Sequence, residues 1–331
     1  MRDMAQDRPP PKIHGVTTGS QGDVEAVAAL GATLSASISG VVKVPENVLR
    51  QVIVALIADG HILIEDYPGV GKTSLARAAS RSIGAEFARV QCTSDLLPAD
   101  VLGTNVYNQR EARFDFRPGP IFSNIVLVDE INRASPKTQS GLLECMQERR
   151  VTIDVRTHEL ARPFLVIATQ NPVEYEGTYP LPEAQLDRFM ARVSLGYPGA
   201  DDEADMIAEQ AEGDRVDDLD PVADVAEVLN AQEAAARVHA SEPLRRYVVA
   251  LVTATREDPR TELGASPRAG LMLLKAAKAL AALGERDHVL PDDVQALAEP
   301  VLAHRLMLAP EAGNSDPAAI VRDVVERVPA L

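Results

Sequence analysis

The chain has no tryptophan and only two cysteines among its 331 residues, and aromatic residues make up 4% of it. Cys92 and Cys145 have no Cys-x-x-Cys spacing and no histidine cluster beside them, which argues against a disulfide framework and against a zinc site. We therefore expect a reducing compartment and a cytoplasmic location. The few aromatic residues also leave few surfaces on which nucleic-acid bases could stack.

Positive charge is scarce as well. Lysine and arginine together number 33 against 49 aspartates and glutamates, which gives a formal net charge of −16. Nonspecific nucleic-acid binding relies on basic residues that displace counterions from phosphates, so we expect no nucleic-acid partner. No apolar run reaches the ~18 residues of a membrane-spanning helix, and the N-terminal residues lack the apolar centre of a signal peptide. We expect no membrane insertion.

A glycine-rich segment follows the first strong apolar run of the chain, Ile62–Ile64, and precedes a helix-forming stretch. Gly69 and Gly71 allow successive backbone N–H groups to face an anion, and Lys72 adds a cation. The Thr73 hydroxyl is the kind of group that binds Mg²⁺ beside a nucleoside triphosphate. The predicted binding residues are Asp66, Tyr67, Pro68, Gly69, Val70, Gly71, Lys72, Thr73 and Ser74, with Asp66 in place of the first glycine usual in such loops.

Two adjacent acids end a second apolar run. Residues 125–128 form a continuous apolar stretch, typical of a parallel strand buried on both faces, and lead into Asp129 and Glu130. Asp129 is the candidate Mg²⁺ ligand, acting through the water shell of the metal. Glu130 is the candidate base that would orient and deprotonate an attacking water, which favours hydrolysis. The alternative interpretation is a solvated pair of acids at the end of a core strand.

A third apolar run, residues 164–169, leads to Asn171. This side chain would lie at the same carboxyl edge of the sheet, where ligands bind in open α/β folds, and could hydrogen bond the γ-phosphate or the attacking water. An Asn-Pro pair after a strand is otherwise simply a turn. Arg188 and Arg268 lie in two later motifs, and each could be an ordinary surface charge.

The order of these motifs resembles that of the MoxR family of AAA+ ATPases. The resemblance runs from about residue 45 to the C-terminal helices and is densest between residues 61 and 198. It rests on Arg117–Pro120, Val128–Gln139, Ala168–Pro172 and Glu176–Phe189. By this resemblance the nucleotide is ATP and the fold is an α/β AAA+ core with a parallel five-stranded sheet between helices, followed by an α-helical lid.

The resemblance also implies roles for three residues and a mode of action. Asn171 matches the sensor 1 residue, Arg188 the arginine finger that reaches the ATP of a neighbouring subunit, and Arg268 the sensor 2 arginine of the lid. The family forms homo-oligomeric rings, here expected to be hexameric. Its members act as chaperone-like remodelling or maturation factors for protein clients, among them proteins with a von Willebrand factor A domain.

Two alternatives stay open. A magnesium-chelatase-type motor subunit shares the same motifs, and a scaffold switched by bound nucleotide would need no turnover. The chain also departs from the family in two places. Residues 39–45 are out of register with the usual turn near the adenine, so the sequence does not identify the residues that contact the adenine. The hairpin at 150–160 lacks the usual Asp-Gly turn, and its basic residues Arg149, Arg150 and Arg156 are interpreted as solvated.

Composition divides the chain into four parts. Residues 1–22 are expected to form a disordered tail, 23–198 the nucleotide-binding core, 199–220 an acidic linker and 221–331 the lid. Alternating apolar and helical patterns predict five strands, at about 61–65, 86–91, 125–129, 164–169 and 191–195. A further hairpin is predicted over 103–116. Helices are predicted at 24–39 and 45–58, and in the lid at 221–237, 242–256, 267–283, 291–305 and 317–327.

Overall fold

The computed structural model describes residues 21–172, 177–197, 199, 203, 215–313 and 315–330. Most of the predicted tail and of the acidic linker lies outside these residues. The first helix already includes Gln21, so the predicted end of the tail at residue 22 lies two residues too far along the chain. The Gln21 side chain donates hydrogen bonds to Glu25 Oε1 at 3.3 Å and to the carbonyl of Glu285 at 3.4 Å, and both contacts favour the extra residues of helix.

A five-stranded parallel sheet forms the centre of the core. Its strands are β1 (Ile62–Glu65), β2 (Phe87–Gln91), β5 (Ile125–Asp129), β8 (Leu165–Gln170) and β9 (Ala191–Val193). They lie in the order β2-β5-β8-β1-β9. The residues of β5 and β8 up to Val128 and Ala168 are at most 1% exposed, which explains why their apolar runs are continuous. The order also places β8 between β1 and β5, so their carboxyl ends are neighbours. The predicted five-stranded sheet is confirmed.

Helices and two hairpins surround the sheet. Both predicted hairpins are present, as β3 (Gly103–Asn108) with β4 (Arg113–Pro118) and β6 (Arg150–Ile153) with β7 (Arg156–Glu159). The helices of this part are α1 (Gln21–Ser39), α2 (Glu46–Ile57), α3 (Lys72–Ser82), α4 (Pro98–Leu102), α5 (Pro136–Glu148) and α6 (Glu183–Leu186). No helix in the described part of the chain is long and apolar enough to cross a bilayer.

The lid contains five described helices and a short antiparallel strand pair. Side-chain caps from Asp224, Ser241, Ser266 and Asp316 fix the start of four of the helices. The strand pair was not predicted, because its strands are too short to show a period. The elements are α7 (Val225–Arg237), α8 (Glu242–Glu257), β10 (Thr261–Leu263), α9 (Pro267–Leu283), α10 (Pro291–Leu302), β11 (Met307–Leu308) and α11 (Pro317–Arg327).

Helix α1 joins the core to the lid. It packs against α3 on one side and against α7 and α9 of the lid on the other. Its inward side chains, such as Val24 and Leu34, are at most 1% exposed and belong to one hydrophobic cluster that includes residues of both parts. At Gly31 an added Cβ would lie 2.3 Å from Leu283 Cδ2, so glycine permits the close contact with α9.

The end of the acidic segment contacts helix α3 of the core. Val216 is 2% exposed, and the Asp217 carboxylate pairs with Arg77 and with Arg81, the latter at 3.2 Å. These two arginines hold the pKa of Asp217 below its usual value. The end of the predicted acidic linker 199–220 thus contacts the core, because α3 supplies two arginines for the Asp217 carboxylate.

Arg149 was also misjudged as a solvated hairpin charge. Its guanidinium donates to the carbonyls of Phe164 at 2.7 Å and Asp59 at 2.8 Å, and pairs with the Asp59 carboxylate at 2.9 Å. It lies 5.2 Å from the centroid of the Phe164 ring. Arg149 therefore ties the base of the hairpin to the loop before β1. Arg150 and Arg156 are exposed, as predicted.

Two histidines are buried and neutral. His61 Nδ1 accepts from the Val166 N–H at 3.0 Å, so the protonated Nε2 donates to the Met146 carbonyl at 3.1 Å. Burial lowers the pKa of His61 well below its usual value, and the charge of Arg149 adds to the effect. Burial likewise lowers the pKa of His304, with Arg305 and Arg192 nearby.

We expect acid to destabilise the protein through these histidines. A pKa lowered by folding means that the unfolded chain binds protons that the native state excludes, so stability is full above pH 6.5 and falls below it. Each histidine contributes at most about 1.4 kcal/mol per pH unit, so the free energy of unfolding should fall by about 1 to 3 kcal/mol between pH 6.5 and 5.5. Urea unfolding measures this.

A matched pair of variants assigns the effect. His61→Gln should have a shallower pH dependence, whereas His239→Gln, at an exposed histidine, should keep the slope of the parent protein. An unfolding free energy that stays constant from pH 7.5 to 5.5 would contradict the prediction.

Candidate nucleotide-binding site

The predicted phosphate-binding loop connects β1 to α3. Gly69 and Gly71 have φ angles of +86° and +89°, in the left-handed region that other residues enter only with strain. Helix α3 begins at Lys72 directly after Gly71, which has no side chain to cap the helix. The first N–H groups of α3 can therefore bind an anion, and the helix dipole favours negative charge there.

Asp66 has a different position from the one expected of a phosphate ligand. Its carboxylate is buried, with the residue 3% exposed, and it accepts hydrogen bonds from the residues that follow β9. The donors are the Leu195 N–H at 2.6 Å, the Gly196 N–H at 2.8 Å and the Ser194 hydroxyl at 3.2 Å. The side chain of Asp66 therefore fixes the start of the loop to the edge of the sheet instead of facing a ligand.

Lys72 lies among acids. Its ammonium donates to the Asp66 carbonyl at 2.9 Å. Burial lowers the pKa of Lys72, whereas the negative charges of Asp129, Asp66 and Glu130 favour the charged form. Because β8 is the only strand between β1 and β5 in the five-stranded sheet, the loop that contains Lys72 and the two acids lie at one edge, although more than 50 residues separate Lys72 from Asp129 in the chain.

A threonine orients the two acids at the end of β5. The Thr169 hydroxyl donates to Asp129 Oδ1 at 2.6 Å and accepts from the Glu130 N–H at 2.9 Å. Arg89 donates to the other oxygen of Asp129, also at 2.6 Å. Glu130 has a φ angle of +54°, which is unusual for a residue with a side chain and turns the chain sharply at this point.

The Glu130 carboxylate is held by two neighbours. Gln91 Nε2 donates to its Oε2 at 3.2 Å and Arg133 at 3.0 Å. Sequence reasoning did not assign roles to these residues or to Thr169 and Arg89. Gln91 could have been found, because β2 pairs with β5 in a register that places it opposite Asp129.

Asn171 directly follows β8, the strand between the one that leads into the phosphate loop and the one that ends in the acid pair. It is therefore at the predicted edge of the sheet.

Arg188 and Arg268 lie elsewhere, at the junction of core and lid. The hydrogen bonds and ion pairs of the described residues do not connect either arginine to the loop, and Arg188 Nε is buried without a hydrogen-bond partner among them.

A cavity of about 240 Å³ lies beside the phosphate loop. Val42 and Val44 of the segment before α2 form one wall, Val70 of the loop another, and Leu195 and Tyr197 a third. The Tyr197 ring stacks on Tyr67, with centroids 5.2 Å apart. Sequence analysis predicted no residues for a base, since the two outer walls come from segments more than 150 residues apart in the chain.

Comparison with known proteins decides the family. A family model described as the "ATPase family associated with various cellular activities (AAA)" matches residues 61–191, and one for the AAA lid domain matches residues 253–324. The chaperone MoxR1 of Mycobacterium tuberculosis is 40% identical over 321 residues, which cover 93% of this chain and 85% of the relative. The chain belongs to the MoxR family of AAA+ ATPases.

Other relatives and a solved structure agree. The protein MoxR of Paracoccus denitrificans is 34% identical over 303 residues, covering 83% of this chain and 88% of that protein. The uncharacterized protein YeaC of Bacillus subtilis is 51% identical over 276 residues, with coverages of 83% and 86%. A crystal structure of a protein from Cytophaga hutchinsonii superposes with a TM-score of 0.86 at 37% identity, covering 94% of this chain and 98% of that one. The predicted family and the predicted fold are confirmed.

Proposed function

We propose that this MoxR-type protein hydrolyses ATP and uses the resulting change of shape to remodel a protein partner. The observation that carries the proposal is the position of Glu130, which directly follows β5 at the same carboxyl edge of the sheet as the phosphate loop. A carboxylate held in place by Gln91 and Arg133 is suited to orient a water molecule.

Each residue has a defined task in this mechanism. The N–H groups of the loop and the Lys72 ammonium bind the phosphates of ATP. Glu130 takes a proton from the water that attacks the γ-phosphate in line with the leaving oxygen, and Asn171 hydrogen bonds the water or the phosphate. Arg268 of the same subunit and Arg188 of the next subunit neutralise the charge that develops on the phosphoryl oxygens.

The site also suits Mg²⁺. The metal prefers oxygen ligands and retains several waters, and the hydroxyl of Thr73 and the carboxylate of Asp129 are donors of the right kind. Asp129 is held by Thr169 and Arg89, so its orientation does not depend on a ligand. Mg²⁺ would neutralise part of the phosphate charge when bound.

The cavity beside the loop is proposed to take the adenine. Its walls are mainly apolar, its volume of about 240 Å³ suits a planar base, and Val70 connects it directly to the phosphate loop. Asp66 then has a structural reason to replace glycine, because its carboxylate holds the loop against the wall that contains Leu195.

The cellular part of the proposal rests on the family. The name of the chaperone MoxR1 supports chaperone-like action on a protein client, which the family resemblance extends to proteins with a von Willebrand factor A domain. A hexameric ring in the cytoplasm is the proposed setting, in which Arg188 reaches the ATP of the next subunit. Relatives named MoxR favour this function over a magnesium-chelatase subunit. A glutamate held by Gln91 and Arg133 at the edge of the sheet that contains the phosphate loop favours turnover over a passive scaffold.

Steady-state phosphate release and ATP binding test the proposal. The parent protein should release phosphate from ATP in the presence of Mg²⁺, whereas Lys72→Ala should bind ATP about tenfold to a hundredfold more weakly, because a hydrogen bond to a charged group contributes roughly 1.5 to 3 kcal/mol. Lys275→Ala, at an exposed lysine of the lid, is the matched control and should behave like the parent. Equal affinity of Lys72→Ala and the parent for ATP would reject the assigned site.

A further inference from the structure

Asp187 occupies the junction between core and lid and directly precedes Arg188 in the chain. Its carboxylate accepts from two lid residues that are far away in sequence. Arg305 Nε donates to Oδ1 at 2.8 Å, and the Ser266 hydroxyl lies 3.0 Å from both carboxylate oxygens. An arginine finger at the protein surface would not require either of these two contacts of Asp187.

Arg305 binds the whole segment around Asp187 from the lid side. Its guanidinium also donates to the carbonyls of Asp187 at 3.3 Å, Phe189, Met190 at 3.4 Å and Val301. The residue is 4% exposed. A buried guanidinium left without its carboxylate would be strongly unfavourable, so this ion pair holds its geometry firmly.

Ser266 connects the same carboxylate to the helix of the second arginine. It caps α9 by accepting from the Ala269 N–H at 3.1 Å, and it lies two residues before Arg268. Arg268 is the second residue of this helix. One carboxylate thus contacts Ser266, the residue that caps the lid helix containing Arg268, and belongs to the turn that contains Arg188.

The turn around Arg188 does not need the lid for its own shape. The N–H of Arg188 donates to the Gln185 carbonyl at 3.1 Å, and that of Phe189 to the Leu186 carbonyl at 3.1 Å. These local hydrogen bonds define the conformation of the turn. The contribution of Asp187 is therefore to fix where the turn lies relative to the lid.

We propose that Asp187 is a positioning residue for Arg188. By anchoring the turn to Arg305 and Ser266, it makes the position of the arginine presented to the next subunit depend on the lid. The lid in turn responds to the nucleotide of its own subunit through Arg268. This inference rests on the proposed function, in which Arg188 acts in trans on bound ATP.

Asp187→Asn keeps the shape of the side chain but removes its charge. We expect ATP affinity within about twofold of the parent and a fall in kcat of roughly a hundredfold, because a misplacement of about 1 Å can lower a rate by about 10²-fold. Asp218→Asn changes the same charge at an exposed position and should not change kcat. Thermal unfolding followed by circular dichroism checks that both variants fold.

Mixed rings separate positioning of the finger from an effect on the subunit's own site. A Lys72→Ala subunit cannot bind ATP well but presents an intact Arg188 and Asp187. When Asp187→Asn is mixed with Lys72→Ala, some Asp187→Asn subunits bind ATP next to a Lys72→Ala subunit, whose Arg188 is correctly placed. The reference is the mixture of Arg188→Ala with Lys72→Ala. We expect the activity of the first mixture to rise to the level of this reference. Ser266→Ala, which retains the Arg305 ion pair, should show a smaller defect with the same recovery.

Three outcomes are distinct. Recovery of Asp187→Asn to the level of the reference supports the proposal. Recovery of the reference without recovery of Asp187→Asn means that Asp187 acts on its own site, which overturns the proposal and leaves the proposed function intact. Failure of both mixtures overturns the trans-acting finger and this proposal with it. If Asp187→Asn does not fold, the same comparison with Ser266→Ala decides between these outcomes.

Discussion

Replacing Arg188 with alanine should lower ATP turnover by about 10³- to 10⁵-fold while ATP binding stays close to that of the parent, since this is the range over which an arginine supplied in trans accelerates phosphoryl transfer. The position of Arg188 gives the reason. Arg188 follows α6, its neighbour Asp187 pairs with Arg305 of the lid, and no hydrogen bond or ion pair among the described residues connects Arg188 to the phosphate loop.

Mixing two inactive variants tests the trans assignment directly. In an equal random mixture of Arg188→Ala and Lys72→Ala, about a quarter of the head-to-tail interfaces would pair an intact Lys72 with an intact neighbouring Arg188. The recovered activity should then stand far above that of either variant alone. Light scattering shows whether the mixture forms rings. If it forms rings but shows only the low activity of the two separate variants, Arg188 does not act between subunits.

Replacing Glu130 with glutamine should lower turnover by about 10²- to 10⁴-fold, the range typical of general-base catalysis, with ATP binding retained. Glutamine has the same shape and can still contact Gln91 and Arg133, but it cannot accept a proton from water at neutral pH. Phosphate release at saturating Mg²⁺ and ATP measures the loss, and a fluorescent nucleotide measures the binding.

Glu144→Gln is the matched control for this prediction, because Glu144 is an exposed glutamate on α5, the helix that follows the acid pair. It should hydrolyse ATP at the rate of the parent. Turnover by Glu130→Gln within a factor of a few of that rate would exclude Glu130 as the base. Asn171 alone would then orient the attacking water.

The sequence predicts the sheet and the acid pair well for a physical reason. A strand buried on both faces needs apolar residues throughout, so β5 and β8 appear in the sequence as continuous runs. The phosphate loop is equally visible, because two left-handed positions require glycine at 69 and 71. These features depend on neighbours in the chain.

Features that depend on distant partners could not be predicted. In the sequence Arg305 is the last residue of a predicted helix, yet its carboxylate partner lies 118 positions earlier. From the sequence, Asp66 is only a substitution within the phosphate loop, because the N–H groups after β9 that donate hydrogen bonds to its carboxylate are not apparent. Arg149 appears exposed for the same reason, since the carbonyls that it binds belong to Asp59 and Phe164. Buried polar groups find such partners because leaving them unpaired is unfavourable.

Helix α1 limits how the lid can move. Its buried side chains contact α3, which begins at the phosphate loop, and also α7 and α9 of the lid, so a wide hinge opening would expose side chains on both sides of it. Each fully buried aliphatic side chain exposed in this way would be unfavourable by about 1.5 to 3 kcal/mol. Closure by shear, in which packed helices slide by small distances while remaining in contact, avoids that loss. The arrangement favours transmission of the nucleotide state as a short displacement along the α1 surface rather than as a swing of the lid.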